Sequence, residues 1–336
     1  MSTELISVLV LLVVVSLLLL VLDAAVAGVL AWLSPWAFWR CFRWGLWALL
    51  LPPLLMGWGT LVERNLCRVN RIEVPVDGLP AAFDGYRIVH LSDIHSRSFQ
   101  GRTRALQRMV EKANALDADL VAFTGDIVTL DPEELDYTAP ILGGLKAHDA
   151  VVAVPGNHDY CIYHDRKSPR RGPLPHGLDR ICDAMQSMGW EVLRNGSRII
   201  SRGGDSLAVV GTENISSSTH FPTTGNLEKA LEGTDGMCRL LLTHDPTCWP
   251  RQVVGKNVAL TLSGHTHAAQ VTLLGWSPSQ LIYKYYRGLY REGNQYLYIN
   301  VGLGETIFPA RIACPPEITL ITLRKSRGRS RPTSRS

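Results

Sequence analysis

The sequence has no paired cysteines. Its seven cysteines (41, 67, 161, 182, 238, 248 and 314) are odd in number, scattered, and nowhere at CxxC spacing. That pattern argues against both a zinc-thiolate module and a disulfide framework, and a reducing environment is the simpler reading. Basic charge is scarce where a nucleic-acid binder would need it. The net charge is +4, but Arg324 to Ser336 hold six basic residues and no acidic one, and taking these away leaves −2. The body is therefore not basic, and no nucleic-acid partner is expected. Basic residues are also missing from Met1-Ser2-Thr3-Glu4, ahead of the first apolar run. A signal peptide is disfavoured for that reason, although Ala25-Val26-Ala27 has the small-x-small form of a cleavage site. No internal repeat is evident, and 336 residues suffice for one large domain or two small ones.

What is abundant is apolar sequence, at 46% of the chain and concentrated at the N-terminus. Leu5 to Leu22 contains only Ser7 and Ser16 as polar residues, enough to span a bilayer. A second apolar segment, Trp44 to Val62, is interrupted by Pro52-Pro53, which membrane helices tolerate. Trp32, Trp36, Trp39, Trp44 and Trp47 lie near the segment ends, as suits the membrane–water interface. The expectation is an anchor over residues 1–70, with helices at about 5–33 and 44–62 forming a transmembrane hairpin. The alternative is a second segment that lies in the interface. Arg64, Arg68 and Arg71 follow that segment, and the connecting loop holds Arg40 and Arg43. This arrangement leans towards a cytoplasmic main domain on an inner membrane. The basic tail, 324–336, is expected to be disordered or to touch an anionic leaflet.

From residue 71 to 323 the pattern becomes alternating strands and helices. Strands are expected at Arg87–Leu91, Leu120–Thr124 and Ala150–Val154, with helices at Arg102–Leu116 and Pro132–Lys146 between them. That rhythm predicts an α/β domain with a mainly parallel core. Later strands are expected at Leu207–Gly211, Leu240–Thr243, Ala259–Leu262, Leu297–Val301 and Ile318–Leu323.

Five of these strands end in residues that suit hard or borderline metals. In order they are Asp93-Ile94-His95, Gly125-Asp126, Gly156-Asn157-His158-Asp159, His244, and Gly264-His265-Thr266-His267. An isolated Asp-x-His or Gly-Asp is more often a capped turn than a ligand pair. Five such endings, each after an apolar strand, place amides, imidazoles and carboxylates together at the edge where α/β sheets bind ligands.

This five-part pattern resembles that of the calcineurin-like metallophosphoesterases over roughly residues 85–325. The resemblance implies a four-layer α/β/β/α sandwich and two divalent metal ions, Mn²⁺ foremost, with Fe or Zn²⁺ as alternatives. It implies one ion held by Asp93, His95, Asp126 and His267, and another by Asp126, Asn157, His244 and His265. Two ions about 3.5–4 Å apart can share a hydroxide that attacks a phosphoester. His158 would face the leaving group or transition state, or else serve as a third ligand, and Asp159 would orient it. One departure stands at Thr129, where many members carry a supporting acid; Asp131 could replace it.

The C-terminal run, including Tyr286-Arg287-Gly288 and Pro309-Ala310-Arg311, is similar to membrane-associated bacterial members, some of which hydrolyse UDP-2,3-diacylglucosamine in lipid A synthesis. The implied substrate is a membrane-associated phosphodiester or diphosphate, with Arg287 and Arg311 as its positioned guanidinium groups; Arg166 and Arg170, in the basic loop at 160–176, read either as a rim that grips a diphosphate or as a solvated loop. Two alternatives are a general membrane phosphodiesterase and a non-catalytic membrane scaffold on the same fold.

Overall fold

The computed structural model describes residues 3–164, 174–306 and 308–326. Helix α1 (Thr3–Leu33) is one unbroken apolar helix. The second apolar segment is not one helix but three pieces. These are α2 (Phe38–Gly45), a 3₁₀ stretch at Leu46–Leu50 and α3 (Leu51–Leu61). The two prolines explain the break, since they fit the first turn of α3 and no helix interior. Ile6–Leu33 and Phe38–Asn65 are each long and apolar enough to cross a bilayer. Met56 of α3 also packs on Phe308 and Ala310 of the folded body, together with Val8, Leu11 and Leu12 of α1.

The body contains two six-stranded sheets. In chain order the strands are β1 (Arg68–Val76), β2 (Arg87–Leu91), β3 (Leu120–Phe123), β4 (Ala150–Ala153), β5 (Glu191–Val192), β6 (Gly196–Arg202), β7 (Asp205–Gly211), β8 (Cys238–Leu242), β9 (Leu260–Ser263), β10 (Gly288–Glu292), β11 (Gln295–Ile299) and β12 (Glu317–Lys325). The first sheet runs β1-β12-β2-β3-β4-β5 and the second β10-β11-β9-β8-β7-β6. Strands β2 to β5 are parallel, as are β7, β8, β9 and β11; β12 against β2, β6 against β7 and β10 against β11 are antiparallel.

Alternation along the strands builds the layers. Between the sheets, Ile88, Leu120, Ala122 and Val152 of the first share one apolar layer with Val209, Leu240, Leu242 and Leu262 of the second. On the outer face of the first sheet, Val89, Val121 and Phe123 pack against α4 (Thr103–Asn114) and, further along the chain, against the helix at Gly177–Ser187. On the outer face of the second, Ala208, Val210 and Leu241 pack against the helix at Leu227–Leu231 and against Trp249. The result is the expected α/β/β/α sandwich. Each fully buried aliphatic side chain contributes roughly 1.5–3 kcal/mol.

Three further expectations change. The tail expected to be disordered from residue 324 begins later, because β12 pairs Arg324 and Lys325 with Pro75 and Val76 of β1. Pro132–Lys146 is not a helix: it forms a 3₁₀ turn at Pro132–Asp136 and a single helical turn, α5, at Ala139–Leu142. Pro140 is the reason, because inside a longer helix its ring would strike the carbonyl of residue 136. Strand β1 opens at Arg68, ahead of the boundary expected at residue 71. It is an edge strand with mostly exposed residues, and Pro75 is tolerated there.

Candidate metal centre

The C-terminal ends of β2, β3 and β4 in one sheet and of β8 and β9 in the other deliver the seven residues anticipated as donors, and the structure brings all seven together. Asp93, His95, Asp126, His265 and His267 have φ values of 50°, 45°, 59°, 74° and 50°. A non-glycine residue in the left-handed region costs on the order of 1–3 kcal/mol, and such strain gathers at functional sites. The glycines of the motifs supply room. A Cβ on Gly156 would strike the Asp126 carboxylate, and one on Gly264 would strike that of Asp93.

Two groups of donors result. In the first, His267 Nε2 lies 3.1 Å from Asp93 Oδ1 and 3.0 Å from His95 Nε2. In the second, Asn157 Oδ1 lies 3.1 Å from His244 Nε2 and 2.9 Å from His265 Nδ1. Asp126 Oδ2 stands 3.0 Å from His244 Nε2 and 3.7 Å from His95 Nε2, so one oxygen adjoins both groups. The His265 amide donates to both oxygens of Asp93, at 3.1 Å each, which ties the second sheet to the first.

The donor chemistry fits cations. His244 Nδ1 donates to the Thr124 carbonyl at 2.7 Å, which leaves an Nε2 lone pair facing Asp126 and Asn157 oxygens. Three acceptors converge there, and without a positive charge between them they repel. Burial pushes the His244 pKa down, but the Asp126 charge outweighs it and lifts the group to about 10, so a proton fills the gap when no metal does. Burial holds His95 well below the ordinary imidazole value. Burial alone would raise Asp126, yet the surrounding imidazoles, His244 first, hold it well below the usual carboxylate range. Oxygen and imidazole donors without thiolate suit borderline and hard divalent ions.

His158 and Asp159 divide their work differently from the expectation. Asp159 does not touch the His158 ring. Its Oδ2 accepts the backbone N–H groups of Gly156 (2.8 Å) and Asp126 (2.9 Å), and its Oδ1 those of Ile127 (2.9 Å) and Val128 (3.3 Å). It is a clasp that binds the loop after β4 to the loop after β3. His158 is instead oriented by the Thr129 carbonyl, which accepts from Nδ1 at 2.7 Å. Its amide donates to Asp126 Oδ1 at 2.8 Å.

Asp131 does not replace the supporting acid missing at Thr129; it pairs with His164. Glu134 fills the supporting role that sequence reasoning missed. It accepts the amides of Thr129 (2.7 Å), Leu130 (2.9 Å) and Arg97 (3.1 Å). Its signal was an acid five residues past Thr129, hidden by the expectation of a helix.

The substrate arginines also move. Arg311 is fully buried and donates to the carbonyls of Val301, Gly302, Gly304 and Cys314, so it holds the C-terminal loop together and reaches no substrate. Arg287 is exposed, donates to Thr272 Oγ1 at 3.2 Å, and is not among the residues lining the cavity over the donors. Arg166 and Arg170 lie outside the described residues. The cavity, about 890 Å³, has Asp126, Asn157, His158 and His265 on its floor, and Arg64, Arg97 and Arg102 in its wall. Arg64 and Arg102 share Glu305 Oε2, at 3.0 and 3.5 Å. Their position follows from the tertiary fold, since Arg64 closes the anchor and carries no motif.

Residues 86–269 match the profile of the family described as Calcineurin-like phosphoesterase. The chain is 31% identical over 297 residues to the "Transmembrane protein with metallophosphoesterase domain" of Danio rerio, covering 85% of this chain and 64% of that protein. It is 28% identical over 282 residues to the "Uncharacterized metallophosphoesterase YkuE" of Bacillus subtilis, covering 80% and 90%. The protein of the first name from Bos taurus is 28% identical over 287 residues, covering 82% and 61%. The chain thus spans less than two thirds of the two vertebrate relatives.

Proposed function

The chain belongs to the calcineurin-like phosphoesterase family, and from that premise we propose that this metal-dependent phosphoester hydrolase acts on a membrane-associated phosphodiester or diphosphate. One observation carries the reading. The cavity with the donor groups on its floor has Ser7 of α1 and Phe308 in its wall, so it runs from the metal centre to the apolar anchor. An amphiphilic substrate can keep its acyl chains at the bilayer and bring its phosphate to the floor.

The residues then take these roles. Asp93, His95, Asp126 and His267 would hold one divalent ion, and Asp126, Asn157, His244 and His265 the other, with Mn²⁺ the ion of choice. When bound, such ions supply Lewis acidity to the phosphoryl oxygens and an acidified water as nucleophile. Asp126 would serve both ions, because its Oδ2 adjoins both groups of donors. Tyr283 Oη lies 3.1 Å from His265 Nε2 and would accept a hydrogen bond from its N–H, which leaves the Nδ1 lone pair for the metal side. His158, fixed at Nδ1 by Thr129, lines the cavity and holds or moves the proton of the leaving oxygen. Arg97 and Arg102 lie in the wall where phosphate oxygens would approach. In this reading the catalytic domain lies on the cytoplasmic face of an inner membrane, with Arg64, Arg68 and Arg71 beside the bilayer.

The test is a substrate panel on the purified, Mn²⁺-loaded full chain: UDP-2,3-diacylglucosamine, phospholipids, cyclic nucleotides and bis(4-nitrophenyl) phosphate. Hydrolysis of a lipid member in preference to cyclic nucleotides is the expected result. Preference for a cyclic nucleotide, with no lipid member turned over, would overturn the membrane-substrate reading. Release of UMP would single out the first compound.

A further inference from the structure

Among the described residues beyond the anchor, large apolar side chains are covered in all but one region. Among the described residues after Leu66, the exposed ones are Leu273, Leu274, Trp276, Leu281, Ile282 and Leu289. All lie between positions 273 and 289, and such clustering marks an interaction surface.

The backbone is built to present them. Leu273 and Trp276 exchange both backbone hydrogen bonds, at 2.8 and 2.9 Å, around a tight turn. Leu274 (φ 51°) and Gly275 (φ 84°) both take positive φ at its tip. A leucine is a poor occupant of that conformation, and its side chain is fully exposed. The 3₁₀ turn Pro278–Leu281 then raises Leu281 and Ile282, which are 79% and 78% exposed. The base is held firmly: the Thr272 amide donates to the Ile312 carbonyl at 2.9 Å, and Ser277 Oγ to that of Ala268 at 2.6 Å.

Two flanks say what covers this loop. Val271, at its base, packs with Phe308 and Ala310 against Met56 of α3 and Val8, Leu11 and Leu12 of α1, so the loop is continuous with the face that meets the apolar helices. On the other side, Ile282 and Tyr283 line the cavity over the metal centre. The exposed cations Lys284 and Arg287 follow immediately. Leucine, isoleucine and tryptophan at the tip with basic residues behind is the composition of a segment that dips into a bilayer with anionic headgroups.

We propose that residues 273–282 insert into the interface of the same bilayer that holds α1, so that the mouth of the cavity lies against the membrane. This rests on the chain being membrane-anchored and not on what it hydrolyses. The test is independent of turnover. The full chain would be reconstituted in vesicles of phosphatidylethanolamine and phosphatidylglycerol, with an environment-sensitive fluorophore on Leu274→Cys, Leu281→Cys or, as a distant control, Ser201→Cys. Unsubstituted protein carried through the labelling gives the background from its own cysteines. Probes at 274 and 281 should emit to the blue, be quenched by nitroxide lipid and be shielded from iodide, while the probe at 201 shows the reverse. Iodide access at 274 and 281 equal to that at 201 would overturn the proposal. So would shielding that vanishes when the protein is diluted with empty vesicles, because that outcome assigns the loop to a second copy of the chain.

Discussion

Replacing Asp159 with asparagine should unfold the site before it silences the chemistry. The carboxylate accepts four backbone N–H groups with its two oxygens and donates nothing. An asparagine keeps one acceptor and turns an NH₂ group towards the other pair of donors. Two buried amides then lose their partner, at about 1–3 kcal/mol each, or about 2–6 kcal/mol together. That is a large share of a typical stability of about 5–15 kcal/mol. Either pair of amides belongs to the clasp that seats the loops after β3 and β4, so the candidate ligands Asp126 and Asn157 lose their setting as well. Thermal unfolding of the full chain in detergent, with metal content measured on the same sample, is the assay. Asp159→Asn should melt well below the parent and retain less metal. An unchanged melting temperature and metal content, with turnover lost, would refute the clasp and restore Asp159 as the partner of His158.

Three further outcomes follow from the same contacts. His158→Ala should lose turnover by about 100-fold or more while keeping its metal, as removal of a general acid does; loss of metal along with activity would make His158 a ligand. Arg311→Lys should lower the melting temperature and leave KM unchanged, because its four carbonyl partners lie inside the protein; a raised KM with normal stability would return it to the substrate. Metal loading should release protons. His244 is raised from 6.5 to about 10, so it is protonated in the metal-free folded protein at neutral pH and must give up that proton to bind an ion. Apparent metal affinity should therefore rise with pH through that window, and the stability that protonated His244 lends the metal-free fold, complete below 6.5, should fade as pH climbs towards 10. Titration in weak buffer measures the protons released; none released near neutrality would contradict the assignment.

The candidate donors were legible because each follows an apolar strand, and all but His244 sit in a glycine-containing or alternating Asp-x-His or His-x-His motif, features that survive without knowledge of the tertiary fold. What the sequence hid were directions. Asp159 adjoins His158 in the chain, yet its side chain turns under the loop towards amides from β3's end, while His158 turns outwards. Arg311 reads as a substrate-positioned guanidinium in Pro-Ala-Arg, and only the ring of carbonyls folded around it explains its burial. Glu134 lay in a stretch expected to be helical, where an acid signals solvent and not a clamp on three amides. The strained backbone of Asp93, His95, Asp126, His265 and His267 has no sequence signature apart from the glycines that make room for it. The edge strands β1 and β6 escaped notice because few of their residues are buried and they lack a long apolar run.

Asp126 Oδ2 adjoins both groups of donors, and on the proposed function this one oxygen organises two ions. Metal content per chain, measured by mass spectrometry after loading with Mn²⁺, tests it most directly when the parent is compared with Asp126→Asn. The account predicts two ions in the parent and a drop at both positions in the variant, with hydrolysis of bis(4-nitrophenyl) phosphate lost alongside. A parent that binds a single ion, or a variant that keeps both, would contradict it.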